Sequence, residues 1–253
     1  MQKIEYKDLL DAGVHFGHLT RKWNPQMAPY IFMEKNGIHI IDLNKTISEL
    51  ETAASALQAV VRSGRKVMFV ATKKQAKEVV ETAAKSLNMP YITERWLGGM
   101  LTNFATIRKS LKKMSGMEKL MKDEAFLNLA KRERLMVSRE KEKLERVLGG
   151  IADLNRLPAA LFIVDIKREH IAIAEAQKLN IPVFALVDTN SDPTQVDYPI
   201  PGNDDAFKSI KLITEYIAKA AEEGLNARKK DKAESAAQEE EQAKKEMDEQ
   251  EKG

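Results

Sequence analysis

Residues 66–87, KVMFVATKKQAKEVVETAAKSL, decide the fold. The run Lys66-Val67-Met68-Phe69-Val70-Ala71 has no polar interruption after its first residue, which is the pattern of a strand covered on both faces rather than on one. Thr72 offers a cap, and residues 75–87 then follow with apolar positions at helical spacing until Asn88 and Pro90 interrupt them. A buried strand leading directly into an amphipathic helix is half of a parallel crossover unit.

The same unit recurs on either side. Ile38-His39-Ile40-Ile41 is a short apolar run, after which Asn44 can cap a helix carrying Ile47, Leu50, Ala54, Leu57 and Val61 on one face, stopped by Gly64. Tyr91-Ile92-Thr93 reads as a third strand. Farther on, residues 159–164 form a strand, 169–179 a helix, 182–187 a strand, and a closing helix runs from Asp204 to about Glu222. Apolar strands alternating with amphipathic helices predict an α/β domain with a mostly parallel sheet covered on both faces.

That alternation is broken by a basic helical stretch, residues 105–148, with 13 Lys+Arg against 7 Asp+Glu. Its net charge of +6 exceeds the +3 of the whole chain. Residues 1–104 carry +4, 149–225 carry −5 and 226–253 carry −2, so a basic first part is joined to an acidic second part. Within the stretch, Ile107, Leu111, Met114 and Met121 keep one helical stripe and Val137, Leu144, Leu148 and Ile151 a second, with the turn at residues 123–126. Two antiparallel helices with one thin seam, each roughly 25 Å long, fit this pattern. Their cations either meet a polyanion, with nucleic acid leading, or face water.

Composition narrows the function. The chain has 253 residues, 43% hydrophobic, and no cysteine, which excludes disulfides and thiolate metal sites. Its first residues have no apolar signal core and no run approaches a membrane span, which predicts a soluble cytoplasmic protein. Residues 226–253 hold no Val, Ile, Leu or aromatic side chain and are expected to be disordered or at most a fraying helix. The expected division is therefore a discontinuous α/β domain (1–104 and 149–225), an inserted basic hairpin (105–148) and a charged tail (226–253).

Three loops can carry chemistry. Residues 13–25, GVHFGHLTRKWNP, combine two glycines, two histidines, two cations and an indole. Arg21, Lys22 and Asn24 suit phosphate or sugar oxygens and Trp23 suits stacking on a base; packing of His15, His18 and Trp23 in an apolar corner is the alternative. A metal at His15 and His18 needs further ligands, none of which is close in sequence. Residues 94–103, ERWLGGMLTN, join paired glycines to Trp96 and to Asn103, a cap for the helix that follows, with Arg95 free to meet a phosphate. Neither glycine pattern of the nucleotide-binding loops is present. Asp165 and Asp188 each end an apolar strand, where Asp192, His170 and Lys167 could join them in a hydrolytic site; the run DTNSDP at 188–193 is equally explained as turn-formers.

The motifs at 13–25, 95–103 and 182–205, the last ending PIPGNDD, closely resemble the bacterial small-subunit ribosomal protein S-two family, in order, from about residue 4 to 225. The resemblance implies a three-layer flavodoxin-like domain with an inserted helical hairpin. It implies a non-catalytic role, no cofactor and contact with 16S ribosomal RNA between the head and body of the small subunit. Partners would include neighbouring small-subunit proteins and the large mRNA-binding first protein of that series. It makes Arg21, Lys22 and Arg95 candidates for RNA contact. Charge and position add Arg108, Lys109, Lys112, Lys113, Arg132, Arg134 and Arg139 on the hairpin.

Overall fold

The computed structural model describes residues 4–123, 126 and 128–250, with side chains described through 231 and at 233. The chain opens with helix α1 (Tyr6–Asp11), then strands β1 (Phe16–Leu19), β2 (Ile31–Lys35) and β3 (Ile38–Ile41). Helix α2 (Leu43–Arg62), β4 (Val67–Val70), α3 (Lys74–Ser86) and β5 (Tyr91–Ile92) precede the hairpin helices α4 (Phe104–Lys122) and α5 (Lys131–Leu148). Strand β6 (Ala160–Val164), α6 (His170–Lys178), β7 (Val183–Val187), β8 (Tyr198–Pro201) and α7 (Phe207–Gln250) complete it.

Strands β4 to β8 form one sheet in the order β5-β4-β6-β7-β8, every neighbour parallel. Numbered within the sheet this is 2-1-3-4-5, the flavodoxin-like order, and its direction reverses between β4 and β6. The alternation of side chains along the strands divides the core. Val67, Phe69, Phe162, Val164, Phe184, Leu186 and Ile200 point to the layer of α2, α3 and α7. Met68, Val70, Leu161, Ile163, Ala185 and Val187 point to α6, the Trp96 loop and the base of the hairpin. Fully apolar strands are what such a doubly covered sheet requires.

Several local expectations change. Ile38–Ile41 is not in the parallel sheet; it is the middle strand of a small antiparallel sheet, β1-β3-β2. Asn36 and Gly37, at φ of 54° and 74°, make the two-residue turn that folds β3 back on β2, with Lys35 opposite Ile38. Asp42, not Asn44, caps α2, its Oδ1 accepting the Asn44 amide at 3.0 Å. Thr72 does not cap α3, whose N-cap is Lys73. Asn103 stands at the start of α4 but makes no side-chain bond to a backbone amide there; its Oδ1 accepts the Thr106 hydroxyl at 2.9 Å.

Strand β8 was not legible as a strand because Pro199 and Pro201 lie in it, and prolines are tolerated there because it is the sheet edge. Beyond Glu222 the backbone of α7 stays helical to Gln250. Ala, Glu, Lys and Gln dominate that stretch and are strong helix formers, so it takes the helical alternative without an apolar face. Its first turns are tied to the domain. Arg228 lies against Gly64, whose φ is 84°, and Arg62 donates from Nε to Asp231 Oδ2 at 2.8 Å. Packing therefore runs several residues past the expected boundary at 225.

Candidate nucleic-acid interface

Helices α4 and α5 lie antiparallel, as the pairing of Lys113 with Glu140 requires when Ile107 and Leu111 pack near Leu148. Only Ile107, Leu111 and Leu148 are buried, with Met114, Met117, Met121, Val137, Leu144 and Val147 partly so; the seam is thin and strongest at the base. Part of the expected turn, at 124 and 125, lies outside the described residues. The chain returns from α5 through Gly149–Ile151, where a side chain on Gly150 would collide with the Tyr91 carbonyl and ring. This close approach fastens the hairpin root to β5.

The seven hairpin cations separate by environment. Arg108, Lys109, Lys112, Arg132 and Arg139 are exposed and have no ion pair among the described residues. Lys113 is exposed but paired with Glu140. Arg134 is half-buried beside Met121, Phe126 and Leu135, so it is not the free surface cation that its position suggested.

What aims this hairpin is a carboxylate. Glu175, buried on α6, accepts the Trp96 indole N–H at 3.1 Å and the Gly99 amide at 2.7 Å on Oε1. Its Oε2 accepts the Leu101 and Thr102 amides at 2.9 and 3.0 Å and the Thr102 hydroxyl at 3.1 Å. Burial alone would raise the Glu175 pKa, but these donors prevail and hold it below the ordinary carboxylate value. Gly99, at φ of 86°, gives the loop the turn it needs to wrap the carboxylate. The loop motif thus wraps a partner 73 to 79 residues away. Arg95 beside it is exposed.

The loop at 13–25 is bound to the end of β7. The His18 amide donates to Thr189 Oγ1 at 2.8 Å and the Asn24 amide to the Thr189 carbonyl at 2.8 Å. A Cβ on Gly17 would stand 2.5 Å from Thr189 Cγ2, so only glycine permits this approach. Arg21 and Lys22, in the 3-10 turn Thr20–Lys22, are exposed. Trp23 leaves 39% of its surface open and packs its ring 5.1 Å from His39, combining the packed and the accessible readings. Asn24 is committed: its Oδ1 caps the next 3-10 turn by accepting the Gln26 amide at 2.9 Å.

The carboxyl ends of the strands gather charges that sequence spacing had kept apart. Lys73 Nζ lies 2.6 Å from Asp205, 2.7 Å from Asp204 and 3.6 Å from Asp165. His18 Nδ1 meets Asp188 Oδ2 at 3.0 Å, and Nε2 meets Asp205 at 3.3 Å. Burial, together with Asp188 and Asp165, raises the Asp204 pKa to about 7 against the pull of Lys73. The hydrogen bond to Asp188 raises that of His18 against burial. Ligand atoms of His18, Asp188 and Asp204 lie within 4.8 Å of one another, and the Asp204 Oδ2 atom is buried with no partner among the described residues. One nitrogen and two carboxylates suit a divalent cation. The fold thus brings two carboxylates to His18 that sequence spacing had kept apart, whereas His15 is not among the converging groups. Asp192, by contrast, caps its own turn, and His170 and Lys167 are exposed. These three therefore do not join Asp165 and Asp188, and the alternative hydrolytic reading gains no support from them.

The profile of the family described as "Ribosomal protein S2" matches residues 9–224. A protein of Cytophaga hutchinsonii, "Small ribosomal subunit protein uS2", is 72% identical over 98% of this chain and 97% of its own length. Proteins of the same description from Flavobacterium johnsoniae and Porphyromonas gingivalis are 65% and 58% identical, over 94% and 92% of this chain and 93% and 83% of their own. The chain belongs to the ribosomal protein S2 family.

In this S2 family member, the matched segment spans most of the α/β domain and the whole hairpin and ends within α7. Sequence reasoning singled out none of Glu175, Arg168 and Lys73, which the structure places at the centres of hydrogen-bonded and ion-paired clusters. Glu175 gave one signal, a carboxylate on the otherwise apolar face of α6 with Ala172, Ile173 and Ala176. No helix among the described residues is long and apolar enough to cross a membrane.

Proposed function

We propose that this chain is a structural component of the small ribosomal subunit in the cytoplasm and binds 16S ribosomal RNA between head and body. The hairpin and the loop cations Arg21, Lys22 and Arg95 make the contact. The observation that carries this reading is the set of exposed cations, Arg108, Lys109, Lys112, Arg132 and Arg139, that have no carboxylate partner among the described residues, on a hairpin rooted in the loop that Glu175 holds. An S2 family member with such a surface suits phosphate contact. Shape and backbone charge dominate recognition, because the deep groove of A-form RNA hides base edges from side chains.

Docking of the large mRNA-binding first protein of the small subunit belongs to the same proposal. A surface suited to a protein rather than to RNA is supported by the apolar groove of about 490 Å³ between α1 and the small sheet, where Phe32 is 70% exposed beside Phe16, Tyr6 and Met33. Sedimentation of the endogenous protein through sucrose, with and without ribonuclease, tests the reading. Co-migration with small subunits that ribonuclease abolishes supports it; migration as a free protein in both conditions overturns it.

A further inference from the structure

At the point where the strand order reverses, between β4 and β6, open α/β sheets place their ligands. Here that edge opens a crevice of about 380 Å³ lined by Thr72, Glu94, Arg95, Trp96, Arg168 and Glu169. The position nearest the backbone is already taken. Glu169 is buried, and its Oε1 accepts the Thr72 amide at 2.9 Å and the Thr72 hydroxyl at 2.5 Å. An internal carboxylate thus sits where the amide of the β4–α3 turn would otherwise meet a bound anion. A free nucleotide cannot seat its phosphate there without displacing it.

The mouth of the crevice has the opposite character. Arg168 donates from Nε to Thr72 Oγ1 at 2.7 Å, so its guanidinium is fixed in direction while both terminal nitrogens have no partner among the described residues. Arg95 lines the same crevice, exposed and without an ion pair among the described residues. The remaining carboxylate, Glu94, is neutralised by Lys77 at 2.9 Å. Two guanidinium groups, one pre-oriented, remain to face outward. Arginine forks suit phosphate oxygens, and orienting the fork beforehand lowers the entropy lost on binding.

We infer that this crevice is a separate RNA-backbone site in which Arg168 and Arg95 hold a phosphodiester of the ribosomal RNA. It rests on the rRNA-binding reading above but is distinct from the hairpin. Glu169 confines the ligand to the mouth, which a polymer backbone passing over the surface can reach. Thr72 is a positioning residue that directs Arg168.

The test is rebinding of the full chain to small subunits depleted of it, over a series of KCl concentrations. Arg95→Met with Arg168→Met is expected to make the plot of log affinity against log salt shallower by roughly 0.7–0.9 for each lost phosphate contact. Both arginines are exposed, so the fold is retained, and melting curves check this. Arg168→Lys, which keeps the charge and loses the fork, is expected to fall between the two. An unchanged slope in the arginine variant, with a shallower slope for Lys112→Glu, overturns the crevice site and leaves the hairpin reading intact. Unchanged slopes in both overturn the rRNA reading itself. Millimolar AMP or inorganic phosphate should show no binding that depends on Arg168; such binding would make this a free-nucleotide site and overturn the proposal.

Discussion

Trp96 and Glu175 lie 79 residues apart, and the indole N–H of one donates to the carboxylate of the other at 3.1 Å inside the protein. Through this bond and the four others on the same carboxylate, α6 holds the loop that launches α4. The direction of a long, thinly packed hairpin is therefore set at its root. Its own seam fully buries only Ile107, Leu111 and Leu148.

Replacing that carboxylate should be costly. Glu175→Gln leaves at least one amide donor buried without an acceptor and is expected to cost about 2–3 kcal/mol, with Glu175→Ala higher. The pH dependence has a definite sign. Because the folded pKa is depressed below the unfolded value of roughly 4.3, the stabilisation is complete at neutral pH and is lost as pH falls through the lowered folded value. Urea melts at pH 7 and near pH 3 should show the gap between wild type and Glu175→Gln narrowing in acid. A gap independent of pH would show that the charge of Glu175 does not contribute.

Gly17 is required by contact rather than by φ. An added methyl would press on Thr189 at 2.5 and 2.7 Å and on the His39 carbonyl at 3.0 Å, pushing the His18 loop off the end of β7. Gly17→Ala is expected to destabilise by about 1–3 kcal/mol. Thermal unfolding measures it, and a wild-type melting temperature would mean that the loop yields without cost.

Lys73 is the internal counter-charge of the carboxyl edge. Lys73→Met strands Asp204, which is fully buried, and should cost about 3–5 kcal/mol. Since His18, Asp188 and Asp204 offer converging ligand atoms, added zinc should restore part of the loss in this variant and less in Lys73→Met with His18→Ala. Equal recovery in both would mean that His18 does not bind the added ion.

The sheet was legible because its strands are uninterrupted apolar runs, and such runs have few alternatives beside amphipathic helices. β8 was not, because two prolines disguise it, and Ile38–Ile41 lies outside the parallel sheet because the Asn36-Gly37 turn folds it back on β2. The basic hairpin was legible from charge and helical spacing. Which of its cations are free was not: Lys113 meets Glu140 and Arg134 turns inward, and both outcomes depend on how α4 and α5 register. Likewise His18 found Asp188 and Asp204, and Trp96 found Glu175, across separations that no local pattern encodes.

The rRNA proposal requires that hairpin cations with no ion pair among the described residues neutralise RNA phosphates. Its most direct test is the salt dependence of rebinding to depleted small subunits for Arg108→Met with Lys112→Met, set beside Lys113→Met. The double variant should lower the slope of log affinity against log salt by roughly 1–2, and Lys113→Met, whose charge is already partnered by Glu140, by less than half of that. A double variant that rebinds with the wild-type slope would contradict the account.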